Sequence, residues 1–98
     1  MQININKEIE KLTVAPEGRI DTVTAPEFEQ KIVEHLDGVS DLVLDMTNVK
    51  YVSSAGLRVI LKVQKVMIKQ GNMKLIGVNK SVMEVFEVTG FLKILKIE

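Results

Sequence analysis

The sequence predicts an α/β domain with a mixed sheet: inner strands parallel, first strand antiparallel, and about three to four helices packed on it. Three observations carry this. Two period-two segments stand back to back at the N-terminus, as the arms of a hairpin do. Leu42-Val43-Leu44 is apolar at consecutive positions, as in a strand covered on both faces. Beyond it, segments of helical period alternate with strand-like runs, which implies parallel strands joined by right-handed crossovers. A chain of 98 residues corresponds to one core and one domain, residues 1–98, with no linker.

From Gln2 to Asn6 polar and apolar residues alternate, with Ile3 and Ile5 on one side. Lys7-Glu8-Ile9-Glu10 can turn, and Lys11 to Ala15 alternates again. Pro16 would disturb a ladder and suits an edge or a bulge. Gly18-Arg19-Ile20-Asp21 then leads out of the sheet. Thr22 or Thr24 can cap the first helix, and Pro26 fits its first turn. Ala25, Phe28, Ile32 and Leu36 follow at spacings of three and four, one core-facing stripe that Gly38 ends. His35 lies off that stripe and receives no role.

After the central strand, Asp45 and Thr47-Asn48 favour a turn. Val49, Tyr51 and Val52 bring the chain to Ser53-Ser54, at the mouth of the longest helical pattern, Leu57 to Gln70. On that helix Leu57, Ile60, Leu61, Met67 and Ile68 share the core face, with Gln64 among them. Arg58, Lys62, Lys65 and Lys69 share a second face, the ordinary pattern of a solvated side. Between these runs a ridge of Val59, Val63 and Val66, which reads equally as a contact with a neighbouring helix and as a docking surface. Gly71-Asn72 ends the helix, and Met73 to Val78 reads as another strand. Asn79 caps a short helix with Val82, Val85, Phe86 and Val88 on its apolar side. Gly90 stops it, and Leu92, Ile94, Leu95 and Ile97 supply a last strand or edge segment.

Composition removes several functions. There are 13 basic and 13 acidic residues, so nothing supports bulk nucleic-acid binding. There is no cysteine and a single histidine, which leaves no thiolate metal site and no histidine-based triad beside Ser54. No phosphate loop with its lysine occurs, so no cofactor is implied. Asp21 and Asp45 are explained by turn and cap duties. These features point away from an enzyme. No apolar run approaches the ~18 residues of a membrane span, and no signal-peptide pattern opens the chain, so a cytoplasmic location is expected.

The remaining candidate is the serine junction. The first amides of a helix lack internal partners, and the helix dipole leaves partial positive charge there. An anion fits such a place, including a phosphate added covalently to serine. The alternative use is plain capping by Ser53 or Ser54.

The segments Gly18-Arg19-Ile20-Asp21, Asp45-Met46-Thr47-Asn48-Val49, Tyr51-Val52-Ser53-Ser54-Ala55-Gly56-Leu57 and Val88-Thr89-Gly90-Phe91, in that order and spacing, resemble a STAS domain of the bacterial anti-sigma-factor antagonists. The resemblance covers nearly the whole chain. It implies a switch: the unmodified antagonist binds an anti-sigma factor that is itself an ATP-using serine kinase, and sigma factor is released. Phosphorylation of one serine ends binding, and a serine phosphatase restores it. In the family an aspartate precedes the acceptor, followed by a small residue and glycine. Aligning that glycine with Gly56 places the acceptor at Ser54. The aspartate position is Ser53 here, which makes Ser53 the rival acceptor. Asp21 matches a family aspartate near the site. The implied binding surface comprises Asp21, Ser53, Ser54, Ala55, Gly56, Arg58, Val59, Lys62, Val63 and Val66, on a chain that is monomeric or weakly dimeric when free. STAS domains also serve as non-switching scaffolds, in stress-sensing assemblies or beside lipid-transport ATPases, which is the alternative.

Overall fold

The computed structural model describes residues 1–98. β1 (Ile3–Glu8) and β2 (Lys11–Pro16) form the expected hairpin, with Ile5 opposite Val14. β4 (Asp41–Asp45) lies parallel to β2, and β6 (Asn72–Ile76) lies parallel to β4. The sheet order is β1-β2-β4-β6, with one antiparallel and two parallel joins. Pro16 is the last residue of β2, while only Lys11–Val14 pair with β4, so its missing amide falls outside the parallel ladder.

Two short strands were not expected. Gly18–Ile20 forms β3 rather than a connection, and Val49–Val52 forms β5. They pair in parallel as a separate two-stranded sheet. Three and four residues are too short for a period-two pattern to stand out, and Gly18 heads the first of them.

Three α-helices complete the chain: α1 (Ala25–Val33), α2 (Ser54–Gln70) and α3 (Lys80–Thr89). Because β2, β4 and β6 succeed one another in one direction, right-handed crossovers set α1 and α2 on the same face of the sheet. The central run is therefore not covered on both faces. Leu42, Leu44 and Met46 point into the core cluster, while Val43 lies outside it, in register with Thr13 and Lys74. Val43 is nevertheless buried, covered by its neighbours on that polar face.

On α1, Ala25, Phe28 and Ile32 are buried as the spacing requires, and Leu36 follows just past the helix. On α2 the core stripe is Gly56, Ile60, Val63 and Met67, flanked by Leu57 and Val59. This corrects the reading of that helix. Leu61 is only half-buried and Ile68 is 67% exposed, whereas Val59 and Val63 are buried. Apolar residues occupy every side of α2 except the basic one, so period alone does not fix which of them meets the sheet. The neighbouring α1 settles it by covering the valine side.

Asn79 caps α3: its Oδ1 accepts from the Val82 amide at 2.8 Å, while its Nδ2 donates to the Val49 carbonyl at 2.9 Å, tying the helix to β5. Gly90 ends α3 in the left-handed region at φ 78°. Of the expected last strand or edge segment the structure forms the second: after a 3-10 turn over Phe91–Lys93, Ile97 makes a single parallel bridge to Leu75 on the edge of β6. No helix is long and apolar enough to cross a membrane.

The corrected phase of α2 is testable by denaturant unfolding. Ile60→Ala, truncating a fully buried side chain, should cost about 2–5 kcal/mol. Ile68→Ala, on the exposed side, should stay within about 0.5 kcal/mol of the parent. Equal costs would restore the phase read from the sequence.

Candidate functional site

The site grows out of the β3–β5 pair. Ile20 lies opposite Val52, and the chain continues past these partners into Asp21 on one strand and Ser53 on the other. Parallel strands end at the same edge, so two residues 32 positions apart in sequence meet there. The Ser53 amide donates to the Ile20 carbonyl at 2.8 Å, which holds the two exits together.

Ser53 is the N-cap of α2. Its backbone is extended (φ −86°, ψ 176°), and its Oγ accepts from the Gly56 amide at 3.4 Å, a long bond. Its carbonyl accepts the Leu57 amide at 2.9 Å. Of the two serines left open as caps, Ser53 takes the role, and Ser54 is the first helical residue, with an exposed side chain. Gly56 follows because nothing larger fits: a Cβ there would lie 2.8 Å from Ile20 Cγ2 and 2.9 Å from Val52 Cγ1. The first turn of α2 thus rests directly on the ends of β3 and β5.

Asp21 organises the other exit. Its Oδ1 accepts from the amides of Val23 (3.0 Å) and Thr24 (3.1 Å), and its carbonyl accepts from the Ala25 amide at 2.8 Å. Asp21 therefore does the capping that the sequence assigned to Thr22 or Thr24; Thr24 makes no side-chain cap bond to α1. Thr24 Oγ1 instead accepts from the Asp21 amide at 2.9 Å and lies 2.8 Å from the Arg19 carbonyl. The Thr24 amide bond, joined by that of Val23, by Thr24 Oγ1 and by the nearby Arg19 charge, holds the Asp21 carboxyl below its ordinary value, and together they outweigh the opposing effect of burial. Asp45 has turn duty alone: its Oδ1 accepts from the Thr47 amide at 3.1 Å and hydroxyl at 2.6 Å.

Arg19 and Tyr51 frame the junction and carried no separate signal in the sequence. They are cross-strand partners in β3 and β5, and the guanidinium carbon lies 4.3 Å from the Tyr51 ring centroid. Arg19 Nε is also 3.9 Å from Asp21 Oδ2. The signal existed only in the pairing, and neither short strand had been read as one.

From the junction a groove of about 660 Å³ runs between α1 and α2. Pro26, Glu29 and Val33 contribute to one wall, and Ala55, Arg58 and Lys62 to the other. Lys62 Nζ reaches Glu29 Oε2 across it at 2.9 Å. The valine ridge proposed as a docking surface is not continuous. Val59 reaches the groove but is 5% exposed, Val63 is fully buried, and only Val66, at 36%, lies at the surface. The alternative reading of that ridge, contact with a neighbouring helix, is what the fold adopts, because α1 packs there. Asp21, Ser53, Ser54, Ala55, Gly56, Arg58 and Lys62 are gathered at the start of α2 or along the groove; Val63 and Val66 are not.

This fold, with a capped helix start at the exit of two parallel strands, defines a STAS domain. The chain belongs to that family: the STAS domain model matches residues 1–98. Among relatives, a candidate anti-sigma factor antagonist of Bordetella bronchiseptica, BtrV, is 34% identical, with 99% of this chain and 85% of BtrV covered. The anti-sigma-B factor antagonist of Bacillus subtilis is 30% identical, with coverages of 97% and 92%. Among solved structures, the anti-sigma factor antagonist SpoIIAA in its unphosphorylated form superposes with a TM-score of 0.84 at 15% identity, covering 99% of this chain and 88% of SpoIIAA. Its phosphorylated form has the same fold (TM-score 0.75, 14% identity, coverages of 99% and 91%).

Two measurements check the site. Ser53→Ala should cost about 1 kcal/mol as a lost cap, while Ser54→Ala should leave stability within about 0.5 kcal/mol; the reverse order would exchange the two roles. An NMR titration of the Asp21 carboxyl should give a midpoint below the ordinary 3.8. Because the folded value is depressed, its contribution to stability is complete above the unfolded value and is lost as pH falls through the folded one. A midpoint at or above 3.8 would contradict the capping geometry.

Proposed function

We propose that this chain is an anti-sigma-factor antagonist switched by phosphorylation of Ser54. Unmodified, it binds an anti-sigma factor that is itself a serine kinase, so that sigma factor is released. That kinase phosphorylates Ser54 and ends the complex, and a serine phosphatase restores it, all in the cytoplasm. The observation that carries this reading is the pair of roles at the helix start. Ser53 holds the cap, which leaves the neighbouring Ser54 hydroxyl exposed and structurally unneeded. Full-length similarity to named antagonists supports it.

The chemistry follows from position. A phosphoserine carries roughly −1.5 to −2 charges at neutral pH. At the first residue of α2 that charge meets the positive end of the helix dipole, and Arg58 stands one turn on, at the i+4 position. The fold therefore tolerates the phosphate. A partner packed over Ser54 would have to bury a dianion and is expelled, so local charge reads out as lost binding. Asp21, Ser53, Ala55, Arg58 and Lys62 form the surrounding contact surface, with Arg19 and Tyr51 at its margin and Gly56 buried beneath it.

A second reading is favoured by one specific feature, Ser53 where the family pattern has aspartate. It is a scaffold subunit that binds constitutively and is not phosphorylated.

The test uses recombinant serine kinases of the ATPase fold from the same genome, with ATP and phosphosite mapping. Ser54→Ala should bind the kinase like the parent and resist phosphorylation. Ser54→Asp should fold normally and bind at least about tenfold more weakly. Phosphate found only on Ser53 would transfer the role there. Stable binding with no phosphate on either serine would favour the scaffold.

A further inference from the structure

The outer face of α2 carries no acid. Between Met46 and Met83 there is no Asp or Glu, while Lys50, Arg58, Lys62, Lys65, Lys69, Lys74 and Lys80 all fall there. The chain is neutral overall, so this run is offset by acids elsewhere and the molecule is strongly polarised. On α2, Ser54, Arg58, Lys62, Lys65 and Lys69 are all exposed and share one arc of about 80°. From Ser54 to Lys69 the arc extends about 22 Å along the helix.

These cations are short of partners. Lys62 pairs with Glu29 at 2.9 Å, but Arg58, Lys65 and Lys69 join no ion pair. The nearby acids of α1 are already engaged: Glu27 with the terminal amine of Met1 at 3.3 Å, Glu29 with Lys62, and Glu34 with Lys31 at 3.7 Å. Apolar side chains border the same face. Ile68, 67% exposed, and half-buried Leu61 flank the arc on its Ser54 side, within about 40° of its edge.

We propose that this face docks an acidic surface of the partner protein, with Arg58, Lys65 and Lys69 meeting its carboxylates and Ile68 meeting an apolar side chain at their flank. The proposal rests on the reading of the chain as a partner-binding switch, and it extends the contact from Ser54 along the whole helix. Charge complementarity selects the occupant. A bilayer would need the apolar stripe of α2, which is buried in the core. A phosphate backbone would approach the acids of α1 beside the arc and gain nothing from Ile68. A second copy would bring the same cations along with its acids, the chain being neutral overall, and sedimentation tests for it. A carboxylate-bearing protein surface suits cations flanked by apolar side chains. Phosphate on Ser54 would then lie at one end of the same track and repel the same carboxylates.

The test measures binding of the cognate serine kinase to Lys65→Glu/Lys69→Glu over a range of salt. Both positions lie far from the Ser54 hydroxyl and outside the core. The reversal should weaken binding about tenfold at low salt, mainly through the association rate, and flatten the salt dependence. A charge-matched control, Lys11→Glu/Lys93→Glu, should bind as the parent. Circular dichroism and thermal unfolding check the fold, and Lys65→Gln/Lys69→Gln gives the same direction with a smaller loss should the reversal not fold. Affinity within twofold of the parent would overturn the docking track while leaving the switch intact, whereas parent protein that binds no kinase would overturn both. The track would equally be overturned if the parent, but not the reversal variant, bound phosphatidylserine vesicles or duplex DNA, or self-associated in sedimentation.

Discussion

The parallel pairing of β3 and β5 is the constraint on which the site depends. It is short, yet it fixes where Asp21 and Ser53 leave their strands, and each then caps a helix. Helices α1 and α2 thus take their starting points from one pair of hydrogen-bonded strand ends. Gly56 makes the arrangement possible, since a Cβ would collide with both Ile20 and Val52. Asn79 adds a second tie, linking the cap of α3 to the Val49 carbonyl on the same pair. A loosened β3–β5 pair would therefore displace both helix starts rather than one loop.

That placement separates two duties that a single serine could otherwise combine. An acceptor that also caps its helix would have to exchange its hydroxyl bond for phosphate contacts when esterified, rearranging the helix start. Here Ser53 keeps the Gly56 bond while Ser54 stands free beside it. A modification at Ser54 leaves the helix start intact, and the positive end of the helix accepts the new charge. In the proposed switch, stability and binding would then be decoupled, so that a small chemical change alters one without the other.

Much of this could be read from the sequence, and the exceptions share a cause. The hairpin, the burial of Phe28, Ile32 and Phe86, the central place of Leu42 to Leu44 and the serine junction at a helix start all follow from local period and caps. What could not be read depends on partners distant in the chain. β3 and β5 are strands only because each has the other. The phase of α2 was ambiguous because leucine, isoleucine and valine surround most of its circumference, and the choice falls to α1. The cap of α1 passed to Asp21 because Thr24 Oγ1 is drawn to the Arg19 carbonyl and the Asp21 amide. The open outer face of the sheet escaped notice for the same reason: Val43 is buried by Thr13 and Lys74, residues whose nearness is set by register.

The replacement of aspartate by Ser53 has an electrostatic consequence. A carboxylate cap would place a full negative charge at the helix start before any modification. Serine caps the same amide without charge, so the unmodified junction has the cations Arg19 and Arg58 on either side and Asp21 as its near carboxylate. Asp21 is itself committed to the amides of Val23 and Thr24, which help to hold its carboxyl below its ordinary value. Adding a phosphate to such a junction turns a positive balance negative, where a junction with a carboxylate cap would start from a neutral one. For a partner that brings carboxylates to α2, the change of sign matters more than its size: attraction along Arg58 turns to repulsion at Ser54, on the same face of the same helix.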